Sequence, residues 1–395
     1  MTSDATRIGV VGAGVISHAY LSTIDRCPAL ELAAICSKSH VSAERQAARY
    51  GGRPAPLAKM LADPAVDIVV NLAPPALHHE IGLQILAAGK HLYSEKPFAT
   101  SLAQAQQLLA LAADKGLAIG CATDTFLGPA HQATRRALDA GLIGPVHGGA
   151  ACMQSHGMEH WHPNPAFFYQ PGGGPHLDLG PYYVTLLVFL LGPVAEVTAF
   201  ATQPARQRAY VGADGHQKAF AVDVPTTFHG SLLFEGGAQV ALSLSWDVWK
   251  HGRNPIELYG DKGSLAGADP NDFAGGVETC APGGEWTTFE NHSRPQKKPA
   301  APPELIRKAM ATLTAGVDPA TGKPLGKGGP VPLGDLRGLG LIDLASAIRE
   351  RRAPRASGHL AMHVLEVLLG LEAASRERRA IAIKTRVERP ALGTS

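Results

Sequence analysis

Ile8-Gly9-Val10-Val11-Gly12-Ala13-Gly14-Val15-Ile16-Ser17 is the stretch whose reading decides the fold. The run from Ile8 to Val11 has the composition of a strand buried on both faces, and it stops at glycines on either side of Ala13. From Val15 to Ile24 the pattern becomes that of an amphipathic helix. Strand, glycine turn and helix in that order bring backbone N–H groups and the positive helix end to one point, an arrangement that suits a pyrophosphate. Gly12, Gly14, Val15 and Ile16 are its expected contacts. The third small position holds Ser17 instead of glycine, so the fingerprint is incomplete, and strand–helix corners also carry paired glycines for steric reasons alone.

The second strand, 30–36, ends in the polar stop Ser37-Lys38-Ser39. It falls roughly 20 residues after the turn, where a dinucleotide-binding domain contacts the ribose. An acidic side chain there would accept from the 2′-hydroxyl of NAD. The hydroxyl of Ser37 and the cation of Lys38 instead suit the 2′-phosphate of NADP. NADP is the expected cofactor, with NAD possible. An ordinary solvated turn is the other reading of Ser37-Lys38.

Strands at 66–72, 91–94 and 117–122 alternate with helices at 43–50, 57–62, 78–88 and 102–115. That alternation specifies a doubly wound parallel sheet, an α/β Rossmann domain over residues 1–125. Ligands of such sheets lie beyond the carboxyl ends of the strands. Ala73-Pro74 with His78, Glu95-Lys96-Pro97 and Thr123-Asp124 all fall there, and Ala73, Pro74, His78, Glu95 and Lys96 are expected beside the cofactor. A lysine so placed can polarise a carbonyl or ease ionisation of a hydroxyl. A surface lysine in a loop is the alternative.

Past Phe126 the pattern changes. Segments 194–201, 226–234, 238–246 and 255–259 are alternating or β-branched, with Glu235-Gly236-Gly237 as a hairpin turn. Residues 126–395 therefore read as an α+β domain with a large, mostly antiparallel open sheet. A Pro-, Gly- and Lys-rich stretch at 282–332 reads as loops around a short helix at 304–314, an arm or a lid. A long helix at 358–375 and a short strand at 380–384 follow.

A chain of 395 residues suits two domains, and 45% hydrophobic with 18% charged residues is the balance of a soluble globular protein. With a net charge of +2 and no basic stripe interleaved with aromatics, nucleic acid is not an expected partner. The apolar run 184–191 is too short to span a bilayer, so no membrane association is expected. The first residues lack the features of a secretory signal, and five scattered cysteines without a Cys-x-x-Cys pair suit a reducing cytoplasm.

A second group of candidates lies in Gly172-Gly173-Gly174-Pro175-His176-Leu177-Asp178-Leu179-Gly180-Pro181-Tyr182-Tyr183. Asp178 and Tyr182 are four apart, which on one helix puts a carboxylate and a phenol on the same face as an orienter and a proton donor. A capping aspartate and a core tyrosine are the other reading. His156-Gly157-Met158-Glu159-His160-Trp161-His162 gathers histidines and a glutamate, but its spacing matches no closed zinc site, and no metal is expected. This loop is expected to line the substrate pocket, with Trp161 stacking on a sugar ring and His156, His162 and His176 bonding hydroxyls; a plain surface loop is the alternative.

Glu95-Lys96-Pro97 after the glycine turn, followed by Gly-Gly-Gly and Asp178-Leu179-Gly180 in a β-rich domain, resembles the Gfo/Idh/MocA oxidoreductases over nearly the whole chain. The resemblance implies that Lys96 is the active-site lysine, that Asp178 contacts substrate and that Tyr182 is the general acid/base. Many members have histidine at the Tyr182 position. Tyrosine there is similar to the glucose–fructose oxidoreductase and dihydrodiol dehydrogenase branch, whose members often use NADP. Thr185 stands where an aspartate is common, which departs from the inositol dehydrogenases. The resemblance also implies a homodimer or homotetramer through the C-terminal sheet. The expected activity is hydride transfer between nicotinamide and a CH–OH or C=O group of a sugar, glycoside or cyclic polyol. The alternatives are a redox-neutral glycosidase or epimerase with tightly held cofactor, and a non-catalytic dinucleotide-binding protein.

Overall fold

A computed structural model describes residues 5–162, 164–212, 215–292 and 336–393. The amino-terminal half builds a six-stranded sheet from β1 (Thr6–Val11), β2 (Leu30–Cys36), β3 (Arg53–Pro54), β4 (Ile68–Asn71), β5 (His91–Ser94) and β6 (Ile119–Cys121). The strand order is β3-β2-β1-β4-β5-β6, and every pairing is parallel. The crossovers carry α1 (Ser17–Arg26), α2 (His40–Tyr50), α3 (Leu57–Leu61), α4 (His78–Ala87) and α5 (Leu102–Asp114). The apolar runs explain the layering, because Ile8, Val10, Ile68, Val69 and Val70 are all fully buried between helices on the two faces. Ser39 and Ser101 cap α2 and α5 by accepting from the backbone N–H of Ser42 and Gln104. The strand order reverses at β1 and β4, and the crevice there opens at the carboxyl ends of both.

The second sheet is mixed and nine-stranded. After α6 (Pro129–Asp139) come β7 (Val146–Gln154), α7 (Pro175–Asp178), α8 (Gly180–Leu191), β8 (Val194–Thr202), β9 (Gln207–Val211), β10 (Gln217–Ala221), β11 (Thr227–Phe234), β12 (Gln239–Ser245), β13 (Ile256–Gly260), β14 (Gly263–Gly267), β15 (Gly276–Cys280) and β16 (Thr287–Asn291). The chain closes with α9 (Leu339–Glu350), α10 (Gly358–Glu377) and β17 (Ile381–Ala382). The order is β16-β15-β14-β13-β7-β12-β11-β8-β17, with β7 and β12 the parallel pair, while β9 and β10 form a separate ribbon. Helices α8 and α10 cover one face: Val197 and Ala199 are buried there, and Gly370 of α10 lies so close that a Cβ on it would meet Val197 at 3.1 Å.

Two readings need amendment. Asp178 and Tyr182 do not share a helix, because α7 ends at Asp178 and α8 begins at Gly180. Gly180-Pro181 starts a new helix there, since proline supplies no N–H to continue the old one. The stretch read as loops from 282 contains the edge strand β16. The helix expected at 304–314 lies outside the described residues. Among the described residues no helix is long and apolar enough to cross a membrane.

Candidate active site

The glycine turn divides its two tasks between two residues. Gly12 has φ +106°, and a Cβ there would sit 2.6 Å from the Leu72 carbonyl oxygen, so the turn against β4 demands glycine. Its N–H donates to Cys36 O at 2.8 Å, which draws the turn to the end of β2. Gly14 is different: a Cβ there would meet nothing within 4 Å. Val15 beside it is 88% exposed, and Ile16 leads into α1 half-buried. The open space before Gly14, at the positive end of α1, is what a pyrophosphate needs in order to lie against the backbone. Ser17 is fully buried and its hydroxyl donates to Gly14 O at 2.6 Å, so the third position closes the turn from behind. Past β2, Ser37 is half-buried and Lys38 exposed, next to the Cys36 carbonyl that Gly12 holds.

Ala73 and Pro74 follow β4 at the same edge. The Asn71 side chain accepts from Ala73 N at 3.3 Å and donates to His78 O at 3.1 Å. The His78 ring is 1% exposed, with Nδ1 2.7 Å from Pro97 O and Nε2 2.7 Å from Ala73 O. Burial lowers its pKa, the two carbonyls and Glu95 pull it back up, and Lys96 opposes them. Both ring nitrogens are engaged, so His78 splices the loop after β4 to the loop after β5 and has no nitrogen left for a ligand. Glu95 is buried likewise, its carboxylate accepting from Tyr20 Oη at 2.7 Å and from Lys96 N at 2.9 Å.

These contacts place Lys96 at the carboxyl end of β5, aimed at the second domain. Its Nζ donates to Asp178 Oδ1 and to Asp178 O, each at 2.6 Å, and lies 5.5 Å from the centre of the Tyr182 ring. The three side chains named from the sequence therefore meet, although they come from two domains and from two different helices of the second. Burial alone would lower the Lys96 pKa, but Asp178, Tyr182 and Glu95 outweigh it and hold the ammonium charged. For Tyr182 the balance runs the other way. Burial raises the phenol above its usual range, and the neighbouring ammonium only partly offsets this. Desolvation therefore outweighs the help that the Lys96 ammonium gives the Tyr182 phenol towards ionisation. Among the described residues Tyr182 makes no side-chain hydrogen bond.

The loop carrying the histidines is tied down from within. Arg208 of β9 donates to Glu159 at 2.6 Å and also pairs with Asp247, and Tyr169 donates to Glu159 at 2.5 Å. His156 stacks on Trp249 with ring centres 3.3 Å apart. His162 packs edge-on against Trp161, Phe167 and Phe168. Trp161 is exposed. His176 is displaced from its expected role: its ring is fully buried against Phe228, and Nε2 pairs with Glu372 of α10 at 2.6 Å. The first residue after Gly174-Pro175 thus points into the core, between β11 and α10. No group of three or more metal-ligating side chains occurs among the described residues.

Sequence reasoning passed over Arg208, Asp247 and Trp249. The first two are distant in sequence from Glu159 and become partners only when β9 and β12 arrive. Trp249 did leave a signal, a lone tryptophan in the polar stretch Asp247-Val248-Trp249-Lys250-His251 after a strand.

Comparison with known proteins bears on both halves. Residues 6–123 match the model of the oxidoreductase family with an NAD-binding Rossmann fold. Residues 131–266 match the GFO/IDH/MocA C-terminal domain. The dTDP-3,4-didehydro-2,6-dideoxy-alpha-D-glucose 3-reductase of Actinomadura kijaniata is 32% identical over 216 residues, 53% of this chain and 63% of that protein. The 1,5-anhydro-D-fructose reductase of Ensifer adhaerens is 26% identical over 79% of this chain and 88% of that one. Among solved structures, an NAD-binding oxidoreductase from Klebsiella pneumoniae superposes with a TM-score of 0.78 at 23% identity, covering 97% of this chain and all of that one (100%). Levoglucosan dehydrogenase solved with NADH and L-sorbose gives 0.76 at 18% identity, with 97% and 100% covered. The structural likenesses establish the fold. The two family models follow one another in the order of the two domains and span more than half of the chain, which belongs to the Gfo/Idh/MocA family of oxidoreductases.

Proposed function

We propose that the chain interconverts a secondary hydroxyl and a carbonyl on a sugar, glycoside or cyclic polyol, using NADP in preference to NAD. The observation that carries this reading is the half-buried Lys96 ammonium, held between Asp178 and the Tyr182 ring beyond β5. The dinucleotide supplies the hydride donor or acceptor. Two of the three Lys96 N–H groups are spent on Asp178, and the third is available to the substrate oxygen as it gains negative charge. Asp178 offers Lys96 one carboxylate oxygen, Oδ1, and keeps Oδ2 to accept from a neighbouring substrate hydroxyl. Tyr182 gives the proton to that oxygen in reduction and takes it back in oxidation. Its raised pKa means that it starts protonated at neutral pH, ready for the reductive direction.

The NADP preference is supported by Ser37 and Lys38 at the end of β2, where no acidic side chain stands. The five scattered cysteines, with no Cys-x-x-Cys pair, support a cytoplasmic setting. The family likeness supports a homodimer or homotetramer through the nine-stranded sheet.

The test is a panel of sugars, glycosides, polyols and dicarbonyl compounds, assayed with NADP and NAD in parallel by absorbance of the reduced nicotinamide. Turnover by the wild type and its collapse in Tyr182→Phe are the expected results. Silence across the panel with both cofactors sinks the proposal.

A further inference from the structure

At the edge of the first sheet away from Lys96, a cleft of about 850 Å³ opens between three pieces of chain. That volume is in the range of small-molecule sites. One side is α5 with the lead into β6, the second is the connection from α9 to α10, and the third is the tail at 386–391. His91 and Ile119, both in its lining, are the first residues of β5 and β6, whereas Lys96 follows the carboxyl end of β5. The strands are parallel, so the cleft and the nucleotide crevice lie at opposite edges of one sheet.

Much of the lining is apolar. Leu109 and Ala113 come from α5, Leu117 precedes β6, Ile348 belongs to α9, and Val387 and Pro390 to the tail. The charged part is nearly all of one sign. Arg351, Arg352, Arg355, Arg386 and Arg389 line the cleft, and among the described residues Glu388 is the one carboxylate that does.

The carboxylates that steady these arginines stand outside the lining, and they leave donors over. Asp343 is fully buried, and its Oδ1 accepts from Arg352 Nη2 at 2.8 Å and from Arg355 Nη1 at 2.6 Å. Glu350 takes Arg352 Nε, and Asp139 holds Arg389 at 3.0 Å. Among the described residues Arg355 Nη2 has no partner, and the exposed guanidinium of Arg351 makes neither an ion pair nor a hydrogen bond. His91 adds a donor, because its Nδ1 accepts from Ala118 N at 2.9 Å and the ring hydrogen is therefore on Nε2.

Open guanidinium edges on one short connection, beside the positive end of the 20-residue helix α10, favour a carboxylate or a phosphate. A bare inorganic anion would use the arginines and leave the apolar lining in water, and a neutral apolar molecule would leave the arginines unused. We propose that this cleft binds an organic anion, its head on Arg351 and Arg355 and its apolar body against α5 and Ile348. The site is independent of the redox reading of Lys96.

The test is calorimetric titration of the full chain with octanoate and with octyl phosphate, which share a body and differ in the head. Inorganic phosphate and octanol supply the head alone and the body alone. At least one of the two amphiphiles is expected to bind roughly tenfold more tightly than phosphate or octanol, and the preferred head tells which kind of anion the site takes. Saturating NADPH is expected to leave that affinity unchanged. Arg351→Gln is expected to weaken binding about tenfold, the scale of one hydrogen bond to a charged group. Arg351→Lys should recover part of the loss, since the charge stays and the planar fork does not. Ala113→Trp fills the cleft from the exposed side of α5 and should abolish binding. Both Arg351→Gln and Ala113→Trp are expected to keep wild-type NADPH affinity and thermal stability, which separates a lost site from a lost fold. No binding of either amphiphile, octanol binding as tightly as octanoate, or phosphate binding as tightly as octyl phosphate would each overturn the proposal. So would wild-type affinity in Arg351→Gln or in Ala113→Trp, or competition with NADPH.

Discussion

Gly12 and Gly14 sit two apart in one turn and answer to different constraints, so substituting them separates folding from binding. Gly14→Val places its methyl groups in open space and is expected to leave thermal stability near wild type while weakening dinucleotide binding at least tenfold. Fluorescence titration with NADPH measures it, and wild-type affinity in that variant would relocate the cofactor. Gly12→Ala is expected instead to destabilise by about 1–3 kcal/mol, since it combines a left-handed backbone with a collision on Leu72 O. Tyr182→Phe keeps the ring beside Lys96 and removes only the proton, and turnover is expected to drop by ~10² or more with folding intact. His131 belongs at this scale as well. Its ring is fully buried, Nε2–H donates to Asp272 O at 2.7 Å, and burial pushes its pKa down to about 4 from 6.5. A histidine with a depressed folded-state pKa contributes stability above its unfolded value, and that stability is lost as pH falls from 6.5 towards 4. The loss is on the order of 3 kcal/mol at the low end. Urea titrations across that window should show a shallower decline for His131→Gln than for the wild type.

Among the elements, those announced by local pattern were legible and those held by distant partners were not. The glycine turn, the buried strands and Lys96 after β5 all follow from neighbours within a few positions. The separation of α7 from α8 was missed because a four-residue spacing looks the same on one helix as across a break at Leu179. The fate of His176 was missed because its partner Glu372 lies on α10. The start of α9 is a third case. Asp124 Oδ2 accepts from Gly338 N and from Gly340 N, each at 2.9 Å, and from Tyr93 Oη at 3.3 Å. A residue read from the sequence as a strand-end candidate turns out to anchor a helix more than two hundred positions later. Asp124→Ala would strand two buried N–H groups and is expected to destabilise by roughly 2–4 kcal/mol, measured by chemical denaturation. A change within experimental error would show that the α9 anchor is dispensable.

For the whole molecule, α8 and α10 cover one face of the nine-stranded sheet, and among the described residues the other face carries exposed apolar side chains. Strand alternation puts Phe200, which is 63% exposed, and Leu233 on that second face. If copies of the chain associate there as proposed, light scattering should give a dimer or tetramer mass, and Phe200→Asp with Leu233→Asp should reduce it towards the monomer. A monomeric wild type would contradict the association.

The return of the chain to the first sheet has a practical consequence for anyone cutting this protein apart. Residues 336–357 leave the second domain's sheet behind and lie along β6, where Cys121 N donates to Ala356 O at 2.8 Å and Gly120 bridges to Ser357. Leu344 of α9 packs against the same edge, close enough that a Cβ on Gly120 would meet it at 3.2 Å. A cofactor-binding module expressed as residues 1–125 alone would carry a raw β6 edge and an uncovered patch around Tyr93 and Ile119. Such a fragment should be insoluble, or should become soluble only when the 336–357 segment is grafted back through a linker. The nucleotide half of this enzyme is a discontinuous object, completed by a piece of chain made more than two hundred residues later.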